Sequence, residues 1–312
     1  MSATIRVDDE VAPRADSLDL AGAAWALLFA ALWGGLATSA KLSLQFVPRL
    51  GLAGVRFGLG FLALALWALA TRQPLWLSAR EWRAVLPLSV LFVLQIVSFS
   101  FGVDYGTASH TVVLINVHPL FVALLAHWLL HDDRLHPRKL VGLVAAFAGV
   151  VSLFAEQWIA TAPGLLLGDA LGLLSALLLS LVLVKTKLLT RTMTPLKLLV
   201  GQYVVGVPAY FALGALFDPP GHWRLEAGAL APLLYQGVIV SGLCFIGWTQ
   251  LLQRYPASKL TAISFVTPLC GAVIAHWVLN EPLTIGLALG GMLVALGVLM
   301  ANQPENGKNH SG

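Results

Sequence analysis

Arg56 stands in the stretch "GLAGVRFGLGFLALAL", with no acid among its neighbours. Insertion scales put a guanidinium in the centre of such an apolar helix at about 2.5–3.5 kcal/mol. It must therefore face protein or water, and with no acid inside the spans away from their ends its simplest partner is an anionic group on a substrate, the alternative being a capping bond to the ends of broken helices. His118-Pro119 and Thr267-Pro268 form a second set, each a polar residue ahead of a proline deep in an apolar run. A proline inside a helix removes one hydrogen bond and pushes away the carbonyl four residues back, here those of Ile115 and Ser264. His118 or His110 can carry a proton, because histidine titrates near neutral pH. A third set is the His-Trp pair that occurs twice, in "AHWLL" at 126–130 and "AHWVL" at 275–279.

These residues need a scaffold, and the composition names it. Hydrophobic residues make up 58% of the 312 and charged residues 11%, against about 25% charged in a soluble globular domain. Ten apolar stretches approach or exceed the length of a membrane span. They run over 21–44, 49–70, 85–104, 108–130, 138–154, 166–184, 196–217, 229–252, 257–280 and 283–300. No alternating strand pattern accompanies them, which argues against a membrane β-barrel. The first twenty residues carry five acids and two arginines, unlike a signal peptide with its basic opening, and read as a disordered cytoplasmic tail. Cys244 and Cys270 both fall inside spans and suggest no metal cluster.

With the amino terminus placed in the cytoplasm, 15 Lys and Arg fall in loops on that side and two, Arg49 and Arg224, on the other. This asymmetry fits the positive-inside rule and puts both termini in the cytoplasm. The pI near 9.2 then reflects membrane orientation and calls for no nucleic acid. Two cations remain inside spans, Arg56 and Lys41, the latter near a span end where it either serves the pathway or snorkels to the interface.

The chain also repeats itself. An offset of 149 pairs Ser109 with Ser258, Pro119 with Pro268 and His127-Trp128 with His276-Trp277; an offset of 148 then pairs Asp133 with Glu281, Gly142 with Gly290 and Gly149 with Gly297. Five spans per copy is an odd number, so the second copy enters the membrane inverted. Inverted repeats characterise secondary transporters. The His-Trp pairs then sit at opposite faces, as interfacial anchors or as gates, too far apart for a shared metal or catalytic dyad.

At this point the sequence resembles a known family. "LWGGLATSAKLSLQFVPRLGLAGVRF", with Trp33-Gly34, Lys41, Pro48 and Arg56 in order, resembles the opening of EamA-type members of the drug/metabolite transporter superfamily. "INVHPLFVALLAHWLLHDDRL" and "SFVTPLCGAVIAHWVLNEPL" resemble its two later passages. The chain departs from the pattern after the fourth span, where His131-Asp132-Asp133 replaces the usual Glu, while Glu281 is in place. The resemblance implies an all-α, ten-helix carrier whose fifth and tenth helices lie outside the substrate cavity, exporting amino acids or other small metabolites from a bacterial cytoplasm.

The expectation is therefore a secondary transporter of the bacterial inner membrane, working by alternating access around a mid-membrane cavity. Residues 1–20 form a tail, 21–154 and 165–301 two EamA-like five-helix repeats, and 302–312 a second cytoplasmic tail. The solute is small and carboxylate-bearing, a proton is a candidate coupling ion, and no cofactor is expected. Without a GxxxxGK[ST] loop, ATP is not expected to act on the chain. Pathway candidates are Arg56, Lys41, Gln95, His110, Asn116, His118, Gln202, Tyr203, Trp248, Ser264 and Thr267, with Pro119 and Pro268 as kinks. Aligning Pro48 with Pro195 sets Arg56 opposite Tyr203. An intramembrane enzyme, or a structural or sensory membrane protein without transport, is the alternative. The enzyme requires nucleophile and base within reach, and the best acids, Asp132, Asp133 and Glu281, sit at span ends on opposite faces.

Overall fold

A computed structural model describes residues 18–105, 108–130, 133–154, 165–219, 223–224, 226–280 and 285–302. Glu281, His131 and Asp132 lie outside the described residues, as does the side chain of His110. Every regular element among the described residues is helical. In order they are α1 Leu20–Ser43, α2 Arg49–Thr71, α3 Ala79–Tyr105, α4 Ala108–Ile115, α5 His118–Leu129, α6 Pro137–Phe154, α7 Leu165–Leu189 and α8 Pro195–Phe217. Then come α9 Ala227–Leu234, a π-helical segment Tyr235–Cys244, α10 Phe245–Arg254, α11 Ala257–Ile263, a single 3-10 turn Ser264–Val266, α12 Thr267–Leu279 and α13 Ile285–Asn302.

Eight of these helices or helix chains are long and apolar enough to cross a membrane, and 289–302 is a shorter apolar helix. The chain is thus a multi-pass, all-helical membrane protein. Local chemistry sets the helix ends. The Asp19 carboxylate accepts from Gly22 N at 2.6 Å and starts α1, as an N-cap residue should. Ser78 and Glu81 form a reciprocal capping box at the start of α3. Asp218, beyond the end of α8, accepts from Leu50 N at 3.1 Å and Gly51 N at 2.9 Å, so one helix caps the positive end of another. Asn280 closes α12 in the left-handed region at φ 56°.

The helices differ from the sequence expectation in several places, α3 starting at Ala79 rather than 85 and 229–252 turning π-helical over Tyr235–Cys244 among them. The stretch 108–130 is two helices, with the break at Asn116–Val117; the single 3-10 turn interrupts 257–280 at the matching point. In both, the proline is the second residue of a fresh helix, where its missing N–H costs nothing. The sixth expected span ended at 184, yet α7 runs to Leu189, so Lys185 and Lys187 are helical rather than in a loop. A buried acceptor explains this: Lys187 Nζ donates to Tyr255 O at 2.7 Å, which anchors the last turn of α7 on the end of α10.

Helix neighbours come in matched pairs across the two halves. α1 packs on α12 and α7 on α5; α2 packs on the π segment and α8 on α3; α2 also packs on α8. α6 and α13 pack on each other through glycines, backbone to backbone. A Cβ on Gly149 would lie 2.6 Å from Gly290 O, and one on Gly142 would lie 2.7 Å from Gly297 O. Under the residue pairing of the repeat, each of these contacts is the image of the other.

Candidate functional site

Where the two interrupted helices meet, His118 joins them. Its Nδ1 lies 2.9 Å from Ile115 O, the carbonyl that the Pro119 break releases. A carbonyl only accepts, so Nδ1 carries hydrogen. His118 Nε2 faces Ser264 Oγ at 3.2 Å, and Ser264 Oγ donates to Thr261 O at 2.6 Å. The serine has one hydrogen for two candidate acceptors. Only when Nε2 also carries a proton do all three contacts run from donor to acceptor. From the other side, Ser180 Oγ of α7 shares its one hydrogen between Ala176 O at 2.7 Å and His118 O at 3.1 Å. The break is thus held by side chains, as irregular backbone at membrane depth must be.

Arg56 occupies a different environment. α2, α3, α8 and α10 contribute Phe57, Phe92, Tyr203, Tyr210 and Phe245 to one aromatic cluster. Phe57 at its centre lies 4.9 Å from Phe92, 5.3 Å from Tyr203, 5.6 Å from Tyr210 and 5.8 Å from Phe245. The Arg56 guanidinium carbon sits 4.3 Å above the Phe57 ring, a cation–π contact that partly offsets desolvation. Among the described residues, Arg56 Nε is enclosed and has no hydrogen-bond partner. Tyr203, fully buried, donates to Ser241 O at 2.6 Å, and Tyr210 to Phe92 O at 3.5 Å. An arginine among aromatic rings, with one N–H to spare, can bind an anionic group whose remainder is apolar.

The remaining candidates fall into groups. Arg56 and Tyr203 both lie against Phe57, whereas His118 and Ser264 form a separate cluster with each other. Gln95 pairs with Ser175 of α7, Nε2 to Oγ at 3.0 Å, with Ser175 Oγ returning to Gln95 O at 3.2 Å. Asn116 bonds Val112 O at 2.7 Å and Gln202 bonds Leu198 O at 3.1 Å, each within its own helix. Trp248 is buried, its ring 5.1 Å from Trp33. Thr267 is half-buried at the start of α12, and Lys41 is exposed in the last turn of α1. His110 lies on α4.

Two further clusters were outside the sequence reading. At the helix end near α1's start, Asp133 is 2% exposed and accepts from Lys139 Nζ at 2.6 Å, from Ser258 N at 2.8 Å and from the Ser258 hydroxyl. The loop after α5 thereby caps α11. At the opposite end Arg49 pairs with Asp104 and, at 3.5 Å, with Asp218, joining α2, α3 and α8. A groove of about 490 Å³ opens between α1, α2 and the π segment with α10, lined in part by Trp25, Trp67, Gln250 and Arg254.

The model of the EamA-like transporter family matches twice, over residues 20–155 and 166–303. A Bacillus subtilis (strain 168) protein named as the uncharacterized transporter YoaV is 23% identical, over 86% of this chain and 92% of its own. An uncharacterized transporter of Archaeoglobus fulgidus is 27% identical, over 88% and 95%. A solved crystal structure superposes with a TM-score of 0.80 over 92% of this chain and 99% of that one, at 19% identity, and so shares the fold.

Proposed function

The chain belongs to the EamA-like transporter family, and from that premise we propose that it carries a small, carboxylate-bearing organic solute, an amino acid or related metabolite, outward across a bacterial inner membrane. The observation that carries this reading is Arg56: a cation held in an aromatic cluster, its Nε enclosed and unpartnered among the described residues. A carboxylate supplies both the missing acceptor and the counter-charge.

The carrier has ten membrane helices in two inverted five-helix repeats, 21–154 and 165–301. α6 and α13 serve as the fifth and tenth helices, and the tails 1–20 and 302–312 lie in the cytoplasm. The matched helix neighbours and the self-imaging glycine contacts of α6 and α13 support that symmetry. Alternating access rocks the halves around Arg56 and the two helix breaks. A proton on His118 couples transport to the pH gradient; the contact chain Ile115–His118–Ser264–Thr261, which is complete only with that proton, supports the assignment.

The test is flux of labelled amino acids and carboxylates in proteoliposomes, wild type against Arg56→Gln, with and without a pH gradient. Loss of one charge-assisted hydrogen bond, about 1.5–3 kcal/mol, raises the half-saturating solute concentration roughly 10- to 100-fold. Carboxylate flux unchanged in Arg56→Gln would overturn the anion site, and flux indifferent to the gradient would remove the proton.

A further inference from the structure

We propose that the π-helical segment Tyr235–Cys244 carries the other half of the solute site. The Gln236 side-chain carbonyl reads an α-ammonium group, and the Ser241 hydroxyl shares the carboxylate with Arg56. This rests on the carboxylate reading above and extends it from an anion to a zwitterion.

Gln236 and Ser241 are both fully buried. Gln236 Oε1 and Ser241 Oγ, like Arg56 Nε, have no hydrogen-bond partner among the described residues. The orientation of the Gln236 amide is fixed by its nitrogen, which donates to Ser43 Oγ at 2.8 Å and to Pro232 O at 3.3 Å. The carbonyl acceptor only takes hydrogen bonds, so the unmatched atom is the oxygen. Among the described residues, Ser241 Oγ is the one buried serine oxygen without a partner. Ser43, Ser89, Ser100 and Ser180 each fold back onto the carbonyl four residues earlier, the ordinary refuge of a buried hydroxyl. Ser241 instead has its own carbonyl occupied by Tyr203 at 2.6 Å and its Oγ left over.

The register puts the three residues on facing stretches of α2 and the π segment. Gly237 packs on Leu59, Ser241 on Gly60 and Gly242 on Ala63, where a Cβ on Gly60 would lie 2.8 Å from Ser241 Cβ. Arg56 lies three residues before Leu59, which Gly237 meets, and one turn before Gly60, which Ser241 meets. Ser241 sits one turn deeper, beside the Tyr203 that packs on Phe57. π-Helical turns are rare and gather at functional sites; this one widens the helix opposite the only cation of α2 between its first and last turns. Two donors and one acceptor, each buried, make a costly set when empty. Arg56 N–H and Ser241 O–H match a carboxylate, while Gln236 Oε1 finds no use in a simple carboxylate and matches an ammonium.

The experiment compares initial proteoliposome flux of labelled L-leucine and L-phenylalanine with that of their deaminated analogues, 4-methylpentanoate and 3-phenylpropanoate. Wild type favours the amino acids. Gln236→Leu lowers the amino-acid to carboxylate ratio about tenfold, and the isosteric Gln236→Glu raises it, since the added charge attracts the ammonium and repels the bare acid. Ser241→Ala slows both classes together. A wild type that carries neither class overturns the carboxylate reading and this proposal with it. A wild type that carries both, with the ratio unmoved by Gln236→Leu or by Gln236→Glu, overturns this proposal alone. Opposite shifts at one position do not depend on how much of either variant assembles.

Discussion

Gly290 and Gly291 are neighbours on α13 and make opposite demands on an added methyl group. A Cβ on Gly290 would lie 2.6 Å from Gly149 O and 3.1 Å from Ser152 Oγ, whereas one on Gly291 meets only Leu269 Cδ1, at 4.0 Å. To restore ordinary contact at about 3.4 Å, α13 must retreat from α6 by about 0.8 Å along that direction. A gap of that size forfeits a quarter to a half of each dispersion contact across the crossing. In lipid no hydrophobic term compensates, because helix association there rests on close packing. Gly290→Ala therefore costs about 1–3 kcal/mol in overpacking. Both substitutions gain about the same helix propensity, roughly 1 kcal/mol, so their difference reports packing alone. Thermal unfolding in detergent, followed by tryptophan fluorescence, is expected to place Gly290→Ala below Gly291→Ala by that margin. Gly297→Ala, whose Cβ would press on Gly142 O and Ala146 N, should behave like Gly290→Ala. Equal stability of Gly290→Ala and Gly291→Ala would refute the backbone-to-backbone crossing.

Asp133→Ala strips three donors, Lys139 Nζ, Ser258 N and the Ser258 hydroxyl, of one buried acceptor. Breaking a buried ion pair costs about 3–5 kcal/mol, and the melting point should fall well below that of an exposed substitution such as Arg72→Ala; a matching melting point would show that water replaces the carboxylate. The Asp19 carboxylate is held below its ordinary 3.8 by the Gly22 N–H and then by the Tyr255 hydroxyl. Its stabilisation is present above pH 3.8 and is lost as the pH falls through the lowered value. Wild type and Asp19→Asn should accordingly differ in melting point at pH 7 and converge in acid; an equal difference at pH 7 and pH 3 contradicts this.

Apolar run lengths located the helices, because the requirement to satisfy every backbone group in lipid leaves little else. The proline pairs located both interruptions, though a kink was expected and a new helix start was found. The repeat sets Arg56 opposite Tyr203, and in the structure both side chains lie against Phe57. What periodicity concealed was the π segment: "YQGVIVSGLC" has the composition of any apolar helix, and its close contacts with Leu59, Gly60 and Ala63 leave no periodic mark. Ser241 carries no signal in the sequence for the same reason. Gln95, Asn116 and Gln202 are equally plausible polar candidates in the sequence, and only folding gives each its partner. Lys187 was assigned to a loop because no sequence rule anticipates a carbonyl 68 residues away.

Asp133 also imposes an order in time. Its lysine partner follows six residues later, whereas Ser258 follows 125 residues later. At about 5–20 residues per second, the first half waits roughly 6–25 s with its carboxylate half-satisfied. Until α11 arrives, the nascent protein holds a charged socket open at the end of α5, and docking of this seven-residue helix completes the partners of the carboxylate.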